Sequence, residues 1–241
     1  MSIVFQISDC HLSDETSYYN FERALGEVSK DTTHAAVLLT GDLVCGPKPG
    51  DYTNLSRIID KYIKEKPVYA IAGNHDDLVL MKKELRNSSV KVVKHCRIAG
   101  RKIVFLDSSQ KPMSSLHPLG SGRLNKLDLS LLKKVARKRK KPIVVIHHPV
   151  IRVGSDWMKA ICLENDDYTF SILKRFGVKD VICGHGHDHI VTTKEEVTQH
   201  MAPSTAYGFD HKISEYNRST LIGINKLTLF NGQVTSEIIR L

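Results

Sequence analysis

Five short clusters of Asp, Asn and His stand directly behind five apolar runs in this chain. Ser8-Asp9-Cys10-His11 follows IVFQI, Thr40-Gly41-Asp42 follows AAVLL, and Gly73-Asn74-His75-Asp76 follows VYAIA. His147-His148-Pro149 follows IVVI, and Gly184-His185-Gly186-His187 follows VKDVIC. Carboxylate, amide and imidazole donors are what Mn, Fe, Zn or Co accept, and gathering them without counter-charge is costly. Asp9 with His11, and His185 with His187, are spaced two apart. In extended backbone each pair therefore faces one centre, while Cys10 points away. Each cluster alone is a weak sign: a single D-x-H is more often a turn carboxylate beside an ordinary histidine, and Gly-Asn-His-Asp suits a turn. Five of them, each behind an apolar run, make that bland reading hard to sustain.

The elements that must position these clusters follow from hydrophobic periodicity. Strands are expected at 3–7, 35–39, 68–72, 97–106, 143–146 and 178–183, with several more after 189. Helices are expected at about 20–30, 52–64, 77–86, 124–139 and 167–176. Strand-helix alternation followed by a strand-rich end implies an α/β core with parallel strands and late hairpins. In such sheets, ligands bind in the crevice beyond the carboxyl ends of the strands, where all five clusters fall. No linker cuts the chain, although GPKPG (46–50) and SSLHPLGSG (114–122) read as loops. One domain over 1–241 is expected.

Composition narrows the class. Apolar residues make up 41% and charged residues 25% of the 241, ordinary for a globular protein. No run reaches the length needed to span a bilayer, and the first apolar run stops at Ser8-Asp9, too early for a signal peptide. A cytoplasmic location is the expectation. The five cysteines are scattered without C-x-x-C spacing, which argues for reduced thiols over disulfides or a zinc ribbon. The net charge of +9 is local: KKVARKRKK at 133–141 holds seven Lys or Arg, and the remainder is 28 basic against 26 acidic residues. At the end of an expected helix this run reads first as a solvated terminus meeting the helix dipole, and second as a polyanion-binding patch.

In order, D-x-H, G-D, G-N-H-D, H-H-P and G-H-x-H resemble the calcineurin-like metallophosphoesterase superfamily. Within it, ISDCHL, TGDLV, AGNHD, IHHPV and CGHGH resemble the class III cyclic nucleotide phosphodiesterases. The likeness runs nearly end to end, taking in FLDSS, GSDWM, APSTAYGF and the closing TSEIIRL. It implies a four-layer αββα sandwich of two mixed sheets flanked by helices. It also implies two divalent or trivalent metal ions, Mn, Fe, Zn or Co. One would lie between Asp9, His11, Asp42 and His187, and the second between Asp42, Asn74, His147 and His185. The implied activity is hydrolysis of a small phosphodiester, 3′,5′-cyclic AMP foremost, by attack of a metal-bound hydroxide. His75 would serve the leaving oxygen with Asp76 orienting its ring, and Asn74, His75 and His187 would touch substrate.

Other readings stay open. The substrate could be another nucleotide or a glycerophosphodiester, cleaved as a diester or a monoester. A nuclease using the 133–141 run is disfavoured, and a non-catalytic module would not require all seven ligands and His75. The C-terminal strands are candidates for a homodimer surface. Trp157 reads equally as a stacking platform for a base or ribose and as an apolar anchor for its loop. His148 reads as supporting a ligand or as packing, and His189 as a strand-face histidine ahead of one that hydrogen-bonds behind the ligands. His34, His95, His117, His200 and His211 match no motif.

Overall fold

In the computed structural model, which describes residues 1–136 and 141–241 with the side chains of 135 and 136 excepted, strands and helices alternate through the first two thirds. The elements begin β1 (Ser2–Ile7), α1 (Glu15–Ser29), β2 (Ala36–Thr40), α2 (Asp51–Tyr62), β3 (Val68–Ile71), α3 (Leu78–Glu84) and β4 (Val90–Lys91). Then come β5 (His95–Ile98), β6 (Arg101–Phe105), α4 (Lys126–Ala136), β7 (Ile143–Val145), α5 (Asp156–Ala160), α6 (Asp166–Arg175) and β8 (Asp180–Cys183). The last third is strands: β9 (Ile190–Lys194), β10 (Val197–Met201), β11 (Gly223–Phe230) and β12 (Gln233–Arg240). Among the described residues, no helix is long and apolar enough to cross a membrane.

The strands form two six-stranded sheets, ordered β12-β11-β1-β2-β3-β4 and β5-β6-β7-β8-β10-β9. β1 to β4 run parallel, with β4 at one edge of the first sheet, as do β6, β7, β8 and β10, and antiparallel strands close the other three edges. Side-chain alternation assigns the faces. Val4, Leu38, Ile71 and Leu227 of the first sheet meet Ile103, Phe105, Ile143, Val145 and Ile182 of the second in a shared core. On the outer face, Phe5, Ile7 and Leu39 pack with Phe21, Leu25, Leu55 and Ile59 of α1 and α2. Val104, Val144 and Val181 pack with Leu132, Phe170 and Leu173 of α4 and α6. The result is the expected αββα layering.

Two expectations need correction. The strand expected over 97–106 is a hairpin, turning at Ala99 and Gly100, whose φ angles are 48° and 76°. Helix α1 starts at Glu15 rather than near 20, because Asp14 caps it: its carboxylate accepts from the Ser17 amide at 2.8 Å, and Ser17 Oγ accepts from the Asp14 amide at 3.1 Å. In the basic run, Lys133 Nζ donates to the Tyr168 hydroxyl at 3.0 Å. Residues 137–140 of that run lie outside the described residues.

A polar network crosses the apolar space between the sheets. Gln6 Nε2 donates to Thr40 Oγ1 at 3.0 Å and to the Cys183 carbonyl at 2.8 Å. Asn225 Nδ2 donates to Gln6 Oε1 at 3.1 Å and to the Met201 carbonyl at 3.2 Å, and its Oδ1 meets His189 Nδ1 at 2.8 Å. His189 thus serves this network rather than a strand face alone. Asn225→Leu keeps the volume but strips partners from buried groups. Urea unfolding is expected to show a loss of about 2–3 kcal/mol, and an unchanged midpoint would refute the network's role in joining the sheets.

Candidate metal centre

The parallel strands of both sheets deliver their clusters to one end of the sandwich. Asp9 and His11 follow β1, Asp42 follows β2, Asn74 and His75 follow β3, His147 follows β7, and His185 and His187 follow β8. The chain leaves the strands by an unusual route. Asp9, His11, Asp42, His185 and His187 have φ angles of 52°, 43°, 51°, 73° and 50°, in the left-handed region that non-glycine residues seldom adopt. The pairs at 9/11 and 185/187 therefore converge from tight turns and not, as extended spacing suggests, from one face of a strand. Gly41, with φ of 94°, lies where an added Cβ would overlap the His147 ring. Cys10 turns into the core, as expected.

All seven residues of the expected ligand set meet there. His187 Nε2 is 3.3 Å from Asp9 Oδ1 and 3.1 Å from His11 Nε2. Asp42 Oδ2 is 3.4 Å from His147 Nε2 and 3.8 Å from His11 Nε2. Every one of these side chains except Asn74, which is half-buried, is hidden from solvent. Asp42 Oδ1 also accepts from the His75 amide at 2.8 Å, which ties the third cluster to the second.

Backbone carbonyls set which imidazole nitrogen faces the cluster. His147 Nδ1 donates to the Thr40 carbonyl at 2.8 Å, His187 Nδ1 to that of Tyr207 at 2.8 Å, and His185 Nε2 to that of Ile161 at 2.9 Å. The opposite nitrogen of each ring is left free of its carbonyl. His147 Nε2 and Asn74 Oδ1 are buried and have no hydrogen-bond partner among the described residues. Two imidazole nitrogens at 3.1 Å, a buried ring nitrogen and amide oxygen without partners, and two buried carboxylates are what a bound cation would reconcile. Groups drawn from these residues, Asp9-His11-His187 and Asp9-Asp42-His147 among them, have ligand atoms within 4.8 Å of one another.

The electrostatics point the same way. Burial works against ionised Asp9, but His187 beside it holds the carboxyl at about 2. Asp42 is likewise buried yet lies well below the usual carboxylate range, because His147 faces it. Burial opposes protonation of His147, and the Asp42 charge overrides it, to about 9. Burial and the neighbouring His187 pull His11 down to about 3, and burial with His147 pulls His185 down to about 4. Both rings stay neutral, in the form that ligates metal.

Several neighbours escaped the sequence reading or were misassigned. Asp76 does not orient His75. Its carboxylate accepts from the amides of Leu43 at 3.1 Å, Val44 at 3.1 Å and Gly73 at 2.9 Å, and from the Tyr52 hydroxyl at 2.9 Å. It clamps the turn after β2 to the turn after β3, and burial and the Asp42 charge push its carboxyl up to about 6. The His75 ring instead meets Cys45, whose Sγ is 3.6 Å from Nδ1. Both nitrogens of His148 are taken, by Ser108 Oγ at 2.8 Å and the Gly120 carbonyl at 3.0 Å, so it holds a loop rather than a cation. His211, which matched no motif, bridges the Gly186 carbonyl at 2.7 Å and the Ser155 amide at 3.4 Å.

The cluster floors a cleft of about 1280 Å³ lined by His75, the loop 109–121, Trp157, Tyr207, Phe209 and Tyr216. Trp157 packs edge-on against Phe209 and Tyr216, with ring centroids 4.9 and 5.3 Å apart, and also lines the cleft.

A sequence model of the calcineurin-like phosphoesterases matches residues 3–189. A "Probable cyclic nucleotide phosphodiesterase" of Vesicomyosocius okutanii is 27% identical over 96% of this chain and 96% of its own length. A "3′,5′-cyclic adenosine monophosphate phosphodiesterase CpdA" of Vibrio vulnificus is 26% identical over 99% of this chain and 89% of its own. Among solved structures, a dimetal phosphatase from Danio rerio shares the fold with a TM-score of 0.67 at 16% identity, covering 99% of this chain and 96% of that one.

Because Asp76 joins two turns, Asp76→Ala should loosen both. Amide hydrogen exchange at Leu43, Val44 and Gly73 is expected to quicken about 100-fold or more, and unchanged protection would refute the clamp.

Proposed function

The chain belongs to the calcineurin-like phosphoesterase family, and on that footing we propose that it hydrolyses small phosphodiesters, with 3′,5′-cyclic AMP the favoured substrate. The carrying observation is a pair of buried polar atoms without a hydrogen-bond partner among the described residues, His147 Nε2, which lies 3.4 Å from Asp42 Oδ2, and Asn74 Oδ1. Asp9, His11, Asp42 and His187 would hold one cation, and Asp42, Asn74, His147 and His185 the second. When bound, the pair supplies Lewis acidity and a water of lowered pKa.

The remaining work falls to the chain itself. The carbonyls of Thr40, Ile161 and Tyr207 hold three imidazoles in the ligating tautomer. His75 is exposed at the mouth, its backbone pinned by Asp42, and would carry a proton to the leaving oxygen. Asn74 and His187 would border the phosphate. Tyr207 and Phe209 lie against the His187 ring, with centroids 4.7 and 4.3 Å away, and limit its rotation. The cleft has room for a nucleotide. The cyclic nucleotide phosphodiesterases among the relatives support that substrate class.

The test is hydrolysis of cyclic AMP beside a panel of other phosphate esters, using metal-stripped protein re-supplied with Mn. Cyclic AMP should be cleaved best, and Asp42→Asn should lower kcat about 1000-fold or more. Cleavage of generic diesters without cyclic AMP would remove the substrate assignment, and silence on all esters would remove the reaction. His75→Ala should lower kcat about 100-fold or more on esters with poor leaving groups while both metals stay bound. Loss of metal in that variant would show His75 to be a ligand instead.

A further inference from the structure

We propose that Cys45 and His75 form a separate binding site for a thiophilic divalent cation, zinc foremost, at the mouth of the cleft, and that its occupation inhibits the enzyme. Cys45 Sγ lies 3.6 Å from His75 Nδ1. Zinc bonds of about 2.3 Å to sulfur and about 2.0–2.1 Å to nitrogen, opened at a tetrahedral angle, put the two donor atoms about 3.5 Å apart. The spacing on the protein is therefore already that of two ligands on one ion. The His11 ring stands edge-on to His75 at 4.8 Å between centroids, and the ligand atoms of His11, Cys45 and His75 all lie within 4.8 Å of one another, so the pair sits directly beside the main cluster. With His11 committed to the main cluster, water completes the coordination.

The sulfur separates this site from the cluster beneath it, whose donors are all nitrogen and oxygen. Soft thiolate selects zinc or cadmium over manganese or magnesium. Cys45 and His75 are both exposed, so an ion reaches them from solvent, whereas Cys10, Cys162 and Cys183 are buried. The geometry is also held rigidly. Cys45 directly follows Leu43 and Val44, His75 follows Gly73 and Asn74, and the one carboxylate of Asp76 fastens both turns. On binding, the Cys45 thiol gives its proton to solvent as the sulfur-metal bond forms, and the Nδ1 lone pair of His75 makes the second bond. The imidazole is then fixed to an ion at the mouth and no longer free to follow a leaving oxygen. This last consequence rests on the role proposed for His75, and the binding does not.

The probe is cadmium, added to the Mn-loaded protein while thiolate-to-cadmium charge transfer is followed in the ultraviolet. A band should develop in the wild type, vanish in Cys45→Ser and shrink in His75→Ala. Zinc inhibition of phosphodiester hydrolysis should in parallel need about tenfold or more zinc in Cys45→Ser than in wild type. Equal bands in wild type and Cys45→Ser would overturn the site and leave a thiol-imidazole hydrogen bond only. A Cys45-dependent band with hydrolysis undisturbed would uphold the site, refute the inhibition, and count against His75 as the leaving-group residue.

Discussion

Two carboxylates almost without solvent contact, Asp9 and Asp42, face imidazole nitrogens that also point inward. A buried carboxylate persists only where neighbouring charge or donors hold it, and here the holders come from the opposite sheet. That demand explains much of the surrounding backbone. To aim Asp9, His11, Asp42, His185 and His187 at one point, the chain spends five non-glycine residues in left-handed conformation, each costing about 1–3 kcal/mol. The strain is tolerable because the strands before these turns are locked into sheets and the glycines among them leave room where a side chain would collide.

The cluster is framed by groups that never face it. Asp76 spans the turns after β2 and β3, Gln6 and Asn225 tie the strands beneath, and Ser204 Oγ donates to the Asp9 carbonyl at 2.7 Å. His148 and His211 look like further ligands by residue type, yet each spends both ring nitrogens on loops. Histidine here does two jobs, and only the partner of the second nitrogen tells them apart. For His147, His185 and His187 one nitrogen meets a carbonyl and the other faces the cluster; for His148 neither is spare.

Much of this was legible in the chain because the informative signals were short-range. Strand-end clusters such as Gly73-Asn74-His75-Asp76 announce themselves through composition, and apolar runs announce the strands behind them. The hairpin at 95–105 was read as one strand because its turn, Ala99-Gly100, interrupts an apolar pattern by only two residues. Helix α1 was started late because its cap depends on Asp14 and Ser17, outside the apolar repeat. Adjacency pairs Asp76 with His75 in the sequence, whereas three of its four partners, Leu43, Val44 and Tyr52, lie 33, 32 and 24 residues earlier. Cys45 sits in no motif, and its neighbour His75 is 30 residues away. Contacts of that kind are decided by tertiary packing, which spacing does not encode.

The position of β1 has a bearing on how the protein is made. β1 lies between β2, which follows it closely, and β11, with Ser2 paired to Leu229 at the far end of the chain. During synthesis the first strand can gain one neighbour early, but its other edge stays open until β11 has emerged. His185 and His187 arrive late as well. An unpaired strand edge invites association with other chains, and closing such long loops slows folding. The nascent chain thus passes through a long interval in which Asp9 and His11 exist without their partners, and the late strands decide when that interval ends.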